Sequence, residues 1–205
     1  MRIHFREEKK LWRKGYKKIA GLDESGRGPL CGPVVAAVVM VKNPKSKIQI
    51  SKIKDSKKLS AKKREEFYKI LINHPNIGWG IGRVSEKVID KINILEATKL
   101  AMERAIRNLG KVDFLILDGN FKIDLPISQK SIVKADEKVF SCAAASILAK
   151  VTRDRIMKKL HKKYPQYGFA QHKGYPTKFH KKMLKKYGPG KIHRRTFKPV
   201  KNMLK

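Results

Sequence analysis

The chain has 205 residues, with 50 lysines and arginines against 17 aspartates and glutamates, so its formal net charge at pH 7 is +33. Such a charge draws polyanions, and nucleic acid is the commonest polyanion that a basic protein meets. The length suits one domain that buries most of its unfolded surface. Because no apolar stretch reaches the length of a membrane span and the N-terminus lacks a signal-peptide apolar region, we expect a cytoplasmic protein without membrane contact.

Strands and helices alternate along the chain, a pattern typical of an α/β domain. Runs rich in small and β-branched residues predict the strands, and runs with apolar residues three and four positions apart predict the helices. The expected strands cover residues 18–24, 33–41, 76–84, 112–118 and 127–135. The expected helices cover residues 60–74, 93–109, 136–160 and 177–187.

Local signals mark the ends of two of these helices. Ser60 is a capping residue at the start of the first helix, and Pro75 ends it. Asn93 and Glu96 have the spacing of a capping box, and Gly110 supplies the end of the second helix. Residues 1–17 form a basic extension without a recognisable motif, so we expect the domain itself to cover 18–205, with a basic helical segment from about residue 155.

The end of the chain contains no acidic residue. Asp154 is the last carboxylate, and the following 51 residues are all neutral or basic. Any single lysine pair suits a solvated helix face, and a lysine-rich proteome is an alternative source of the charge. A segment of this length without a carboxylate favours a surface that faces phosphate. The lysine pairs are Lys158-Lys159, Lys162-Lys163, Lys181-Lys182 and Lys185-Lys186.

Four carboxylates stand at predicted strand ends, where α/β sheets form ligand sites: Asp23, Glu24, Asp118 and Asp136. Asp118 could instead open a turn, and Asp136 could cap the following helix. Asp23 and Glu24 are harder to explain in that way, because neighbouring residues on a strand point to opposite faces. One of them is then buried, and a buried carboxylate without a partner is costly.

A divalent cation would remove that cost. Oxygen ligands without an accompanying histidine or cysteine cluster suit Mg²⁺ or Mn²⁺ better than zinc. Carboxylates from several elements can hold two such ions about 3.5–4 Å apart, as in enzymes of phosphodiester chemistry. An acidic cluster beside a polycationic surface therefore predicts a nuclease.

Several stretches in chain order closely resemble the signatures of the ribonuclease HII family. The resemblance covers almost the whole chain from about Lys18, and its segments are "GLDESGRGPLCGPVVAAVV", "DSKKLS", "LDGN", "AAASILAKVTRDR", "YGFAQHKGYPT" and "HRRTFKPV". It implies a ribonuclease H-like α/β fold with a mixed central β-sheet flanked by helices. It also implies cleavage of the RNA strand of RNA–DNA hybrids, nicking of DNA 5′ of an embedded ribonucleotide, and dependence on Mg²⁺ or Mn²⁺.

The same resemblance assigns residues to roles. The metal-binding acids fall on the four strand-end carboxylates, the substrate-binding turn on Gly26-Arg27-Gly28, and the substrate tyrosine on Tyr175. Lys57 and Lys58 are candidates for backbone contacts, with solvated surface lysines as the alternative. A side chain at Gly26 is expected to obstruct the sugar. Ala135 departs from the pattern, because the family usually has glycine before the fourth acid, and its methyl could shift the metal geometry.

The implied mechanism is an in-line displacement in which one ion activates water and the other stabilises the leaving 3′ oxygen. The products would carry 5′-phosphate and 3′-hydroxyl ends, and the protein would act as a monomer. A non-catalytic basic nucleic-acid-binding protein is the alternative, although it leaves the strand-end acids unexplained. A metal-dependent phosphotransferase would usually need a glycine-rich phosphate loop, and the sequence has no G-x-x-x-x-G-K-[ST].

The cysteines and histidines suggest no second metal site. Cys31 and Cys142 stand in apolar settings, which predicts buried reduced thiols. His172 and His180 lie eight residues apart with no evident third ligand, so we expect structural or phosphate-contacting roles for them.

Overall fold

The structure, a computed structural model, describes residues 3–42 and 59–204, so Lys57 and Lys58 lie outside the described residues. The strands within these ranges are β1 (Ile19–Ser25), β2 (Val34–Val41), β3 (Ile77–Val84), β4 (Phe114–Asp118) and β5 (Ser128–Ile132). The helices are α1 (Arg6–Arg13), α2 (Ala61–Asn73), α3 (Glu86–Leu109), α4 (Phe140–Lys163), α5 (Phe169–His172), α6 (Lys178–Tyr187) and α7 (Lys198–Lys201). None of these helices is both long and apolar enough to cross a membrane.

The strands form one mixed sheet in the order β3-β2-β1-β4-β5. β1 runs antiparallel to β2 and parallel to β4, and β4 runs parallel to β5. Leu22 of β1 is paired with Leu117 of β4, so the next residues, Asp23 and Asp118, lie side by side where β4 ends, while β1 continues to Ser25 alongside β2. The expectation of a mixed central sheet flanked by helices is confirmed.

Two apolar layers bury the faces of the sheet. Ala37 and Val39 of β2 pack in the cluster that contains the apolar side of α4, whereas Ala36 and Val38 pack in the cluster that contains α3. This alternation is the period of two expected of a strand that is covered on both sides. A Cβ atom at Gly21 would lie 2.5 Å from the backbone nitrogen of Cys142, so a glycine in β1 lets α4 approach the sheet closely.

The predicted helix starts agree with the structure where the capping side chain belongs to the residue just before the helix. They disagree where the cap comes from elsewhere in the chain. Ser60 accepts a hydrogen bond from the backbone amide of Lys63, and Thr177 accepts one from that of His180. Asn93 caps Glu96 as expected, at 3.1 Å, but a further helical segment precedes it, and α3 is kinked there with φ of 65° at Asn93. The predicted long helix from residue 136 begins only at Phe140.

The N-terminal helix explains where α4 begins. Val139 occupies the N-cap position of α4 and has no polar side chain, so its first turn needs an acceptor from elsewhere. Glu8 of α1, 1% exposed, supplies it, because its carboxylate accepts from the backbone amide and the hydroxyl of Ser141, each at 2.9 Å. The alternative that Asp136 caps this helix is therefore wrong. Asp136 lies in a 3₁₀ turn, Ala135–Glu137, ahead of the helix.

We expect Glu8→Ala to lower the free energy of unfolding by about 1–3 kcal/mol, because it leaves the buried amide of Ser141 without its acceptor. Urea denaturation measures this loss. Glu8→Gln, which keeps an acceptor oxygen, should lose less. Glu7→Ala is the matched control, since Glu7 makes only the more solvated ion pairs with Lys10 and Lys130 and such pairs contribute about 0–1 kcal/mol. Equal losses at both positions would contradict the distant cap.

Candidate metal centre and nucleic-acid cleft

Three carboxylates converge at the edge of the sheet where β1 and β4 end. Asp23, Asp118 and Asp136 each offer an oxygen atom, and these oxygens lie within 4.8 Å of one another. Asp23 and Asp136 are buried, and Asp118 is partly buried. The first two acids meet through strand register, whereas Asp136 arrives from the 3₁₀ turn that follows β5.

The turn that carries Asp136 is tied directly to Asp118. The backbone amide of Ala135 donates to Oδ1 of Asp118 at 2.7 Å. The methyl of Ala135 is fully buried in an apolar cluster with Ile116 and Val139. The backbone strain in this turn falls on Lys134, whose φ is 57°, and Ala135 is not among the residues with positive φ. The extra methyl is therefore accommodated in the core, while the amide of Ala135 still donates its hydrogen bond to Asp118.

Burial and neighbouring carboxylates disfavour negative charge on Asp23 and Glu24. Burial raises the pKa of Asp23 well above its usual value, and the charges of Glu24 and Asp118 raise it further, although Ser146 and the amide of Glu24 donate hydrogen bonds to it. Burial also raises the pKa of Glu24, partly offset by Arg27. A bound cation reverses this penalty.

Glu24 supplies a fourth carboxylate to the same cleft. One of its oxygens, Oε1, pairs with Nη1 of Arg27 at 3.3 Å. The other, Oε2, is buried and has no hydrogen-bond partner among the described residues. A buried carboxylate oxygen needs a partner, and a set of four carboxylates without nitrogen or sulfur ligands suits a hard divalent cation such as Mg²⁺ or Mn²⁺. The residues present therefore fit the expected ions.

A cleft of about 380 Å³ lies over the acids. The predicted residues on its wall are Asp23, Glu24, Gly26, Arg27, Gly28, Asp118 and Tyr175. Three residues that the sequence argument did not select also line it: Arg64, Ser146 and Lys150. Ser146 and Lys150 lie one helical turn apart on α4, a spacing that could have been noticed, but basic residues are too common in this chain for their type to mark a site.

Tyr175 lines the same cleft as Asp23, Glu24 and Asp118. Its side chain is 41% exposed, and a Cβ atom at Gly28 would lie 3.7 Å from its ring. Its backbone is held in place, since the amide donates to the carbonyl of His172 and the carbonyl faces Nδ1 of His180 at 2.9 Å. The ring is thus an exposed group on a fixed backbone.

The expected effect of a side chain at Gly26 is wrong. Gly26 has φ of 102°, and an added Cβ would point away from the cleft and lie 2.5 Å from Cδ of Arg153 and 2.9 Å from the carbonyl oxygen of Pro33. A substitution there would displace Arg153 before it touched a ligand. Of the two glycines, Gly28 is the one where a side chain would grow towards Tyr175.

The histidines of the basic segment form a structural cluster beneath Tyr175. Cys31 and Cys142 are buried free thiols, as expected. The sequence offered His180 no further ligand, but the fold places atoms of Cys31 and His193 within 4.8 Å of it. Burial lowers the pKa of both histidines to about 4, so the rings are neutral at pH 7; Nδ1 of His180 donates to the carbonyl of Tyr175, and its Nε2 lies 3.2 Å from that of His193. His180 thereby supports the carbonyl of Tyr175.

We expect Asp23→Asn to raise the melting temperature in EDTA at pH 8. The folded-state pKa of Asp23 is raised, so its charged form opposes folding above that pKa, and the amide removes the penalty. Each kcal/mol gained corresponds to about 2–4 °C in a chain of this size. The rise in melting temperature on adding Mn²⁺ should shrink in the variant.

Glu66→Gln is the control for this experiment, because Glu66 is an exposed acid on α2. Calorimetry of both variants, with EDTA and with Mn²⁺, provides the measurement. A Mn²⁺-induced shift that is the same in Asp23→Asn as in the parent protein would remove Asp23 from the metal centre.

Comparison with known proteins confirms the resemblance seen in the sequence. Residues 20–200 match the family model described as Ribonuclease HII. A ribonuclease HII of Acetivibrio thermocellus is 54% identical over 191 residues, covering 93% of this chain and 73% of that protein. One from Caldanaerobacter subterraneus is 54% identical over 199 residues, covering 97% of this chain and 80% of that protein.

The fold agrees with this result. The crystal structure of the ribonuclease H2 from Pyrococcus horikoshii has a TM-score of 0.71 and 31% sequence identity to the chain, covering 91% of this chain and 96% of that one. Together with the family match over residues 20–200, these similarities show that the chain belongs to the ribonuclease HII family and is an endoribonuclease.

Proposed function

We propose that the protein hydrolyses the RNA strand of RNA–DNA hybrids and nicks DNA on the 5′ side of an embedded ribonucleotide, leaving 5′-phosphate and 3′-hydroxyl ends. Cleavage of RNA in RNA–DNA hybrids is the activity of the family. The observation that carries the proposal is the convergence of Asp23, Asp118 and Asp136 beside a cleft that Glu24 also lines and whose other charged lining side chains are basic.

The four acids would hold two divalent ions, Mg²⁺ or Mn²⁺: Asp23, Glu24, Asp118 and Asp136. When bound, such ions supply an activated water and stabilise the charge on the leaving 3′ oxygen. The amide of Ala135 orients Asp118 at 2.7 Å, and that of Glu24 orients Asp23 at the same distance. Carboxylates fixed by backbone donors lose little freedom when they bind an ion.

Basic groups around the acids would bind the nucleic-acid backbone. Arg27 has 41% of its side chain exposed and pairs with Glu24 on one side, so its remaining guanidinium donors are free to reach a phosphate. Lys150 also lines the cleft and is paired with Asp154 at 2.8 Å. Further away, the four lysines of α6 are exposed: Lys181, Lys182, Lys185 and Lys186. They would extend the phosphate contacts beyond the cleft.

Recognition of the ribonucleotide would fall to the turn of Gly26, Arg27 and Gly28 together with Tyr175. The 2′-hydroxyl is the group that distinguishes RNA from DNA. Gly28 presents backbone without a side chain beside the ring of Tyr175, so a sugar can lie against both at once. Lys57 and Lys58 lie outside the described residues, and their backbone contacts remain a proposal from the sequence.

The deciding experiment offers duplexes with zero, one and several consecutive ribonucleotides, in Mg²⁺, Mn²⁺ and EDTA. We expect cleavage only with a metal and only where ribonucleotides are present. Asp118→Asn should lower the cleavage rate at least a hundredfold and leave hybrid affinity within about threefold, because the phosphate contacts remain. Glu66→Gln should match the parent. Binding of hybrids without cleavage in either metal would instead support the alternative, a non-catalytic nucleic-acid-binding protein.

We expect Tyr175→Ala to lose more than tenfold in cleavage of a single embedded ribonucleotide while losing less than threefold in affinity for duplex, since the ring contacts one sugar and the lysines carry most of the binding. Tyr187→Ala is the matched control, because Tyr187 is an exposed aromatic residue of the same basic segment, 49% exposed, and does not line the cleft. Parallel losses in affinity and cleavage would make Tyr175 a general binding residue.

A further inference from the structure

Two arginines are completely buried beneath the cleft. Arg153 of α4 and Arg194 near the C-terminus are each 0% exposed and are among the largest fully buried side chains of the described residues. No carboxylate lies within ion-pair distance of either among these residues. Burying two cations without a paired anion is costly. The hydrogen bonds that each guanidinium donates must therefore offset the cost of removing it from water.

All of these bonds go to backbone carbonyls. Arg194 donates to Gly26 at 2.6 Å, to Arg27 at 2.9 Å and to Gly32 at 2.9 and 3.1 Å. It therefore spans both ends of the loop of residues 26–33, which we call the glycine-turn loop. A guanidinium offers five donors in a planar fork, so a single side chain can hold three carbonyls.

Arg153 connects the same loop to the segment that carries Tyr175. It donates to the carbonyls of Pro33 at 3.0 Å and Cys31 at 3.2 Å, and to that of Lys173 at 3.0 Å. A backbone bond between the amide of Leu30 and the carbonyl of Gly174 adds to this connection. The two walls of the ribonucleotide-reading part of the cleft are thus joined through one buried side chain.

Fixing the carbonyls also fixes the amides. In a trans peptide the C=O and the following N–H point in opposite directions, and the chain contains no cis bond among its described residues. With the carbonyls of Gly26 and Arg27 turned inward to Arg194, the amides of Arg27 and Gly28 are turned outward. None of the hydrogen bonds among the described residues uses either amide. Successive outward amides are a common site for anionic or hydroxyl oxygens.

We propose that Arg153 and Arg194 are positioning residues, which hold the carbonyls of the glycine-turn loop inward so that the amides of Arg27 and Gly28 face the sugar–phosphate backbone in register with Tyr175. This inference rests on the proposed function. It also explains Gly26, where any Cβ atom would collide with Arg153. Lysine cannot replace either arginine, since it donates from one nitrogen and cannot bridge separated carbonyls: those of Gly26 and Gly32 for Arg194, and those of Pro33 and Lys173 for Arg153.

The test measures discrimination rather than activity alone. Affinities for two duplexes that differ by one 2′-hydroxyl, a single-ribonucleotide duplex and the all-DNA duplex, are measured in EDTA, where no cleavage depletes the substrate. The readout is the affinity for the single-ribonucleotide duplex divided by the affinity for the all-DNA duplex. We expect Arg194→Lys and Arg153→Lys each to reduce this ratio at least fivefold towards one, while the affinity for all-DNA duplex stays within twofold of the parent value. Loss of folded protein would lower both affinities equally and leave the ratio unchanged.

Arg195→Lys is the matched control, because Arg195 is exposed and adjacent to Arg194, and it should keep the parent ratio. The Mn²⁺-induced rise in melting temperature should also persist in the lysine variants, since the acids are untouched. If the parent protein prefers the single-ribonucleotide duplex and the lysine variants prefer it to the same degree, the positioning role alone is overturned. A parent that binds both duplexes equally would overturn the proposed recognition of ribonucleotides and this inference with it.

If neither lysine variant folds, hydrogen exchange in the parent protein tests the part of the proposal that concerns the amides. The amides of Arg27 and Gly28 should exchange at least fivefold more slowly when the single-ribonucleotide duplex is bound than when the all-DNA duplex is bound. Equal exchange in the two complexes would overturn the assignment of these amides to the ribonucleotide.

Discussion

Repulsion between buried carboxylates is the constraint on which the rest of this structure depends. The parallel pairing of β1 with β4 places Asp23 beside Asp118 at the sheet edge, in surroundings that raise the pKa of Asp23. Strand pairing and the apolar layers on both faces hold the acids together against that repulsion. The three aspartates form a candidate cation site, and the basic side chains of Arg27, Arg64 and Lys150 line the cleft beside it.

Helix α4 links the separate parts of the site. Ser146 and Lys150 face the cleft, and one turn further along the helix Arg153 holds the glycine-turn loop from beneath. The position of the helix is set at its other end by Glu8, which caps it from α1. Since Glu8 does the capping, Asp136 remains free of that role and lies in its own turn beside Asp118. A residue of the basic N-terminal extension thus caps the helix that carries Ser146 and Lys150.

Burying a charged group away from water is costly, and the arginines and the carboxylates of this structure differ in what surrounds them. The acids are crowded together in surroundings that raise the pKa of Asp23 and Glu24, whereas Arg153 and Arg194 are satisfied by backbone carbonyl oxygens. The carbonyls are partial negative charges on rigid backbone, so each hydrogen bond also restricts the loop that supplies it. The positive charge at the core of the basic segment is therefore structural, and the lysines on its surface are the charges available to a ligand.

The sequence by itself determined what depends on neighbours along the chain. Runs rich in small and β-branched residues predicted all five strands, Ser60 caps its helix as expected, and the motifs around Asp23, Asp118 and Tyr175 contain most of the residues that line the cleft. Only the tertiary structure decided what depends on distant partners. The start of α4 follows from Glu8, the need for glycine at position 26 follows from Arg153, and the part played by Ser146 follows from the packing of α4 on β1. These contacts join residues more than a hundred positions apart, and local propensity contains no information about them because it is a property of short segments.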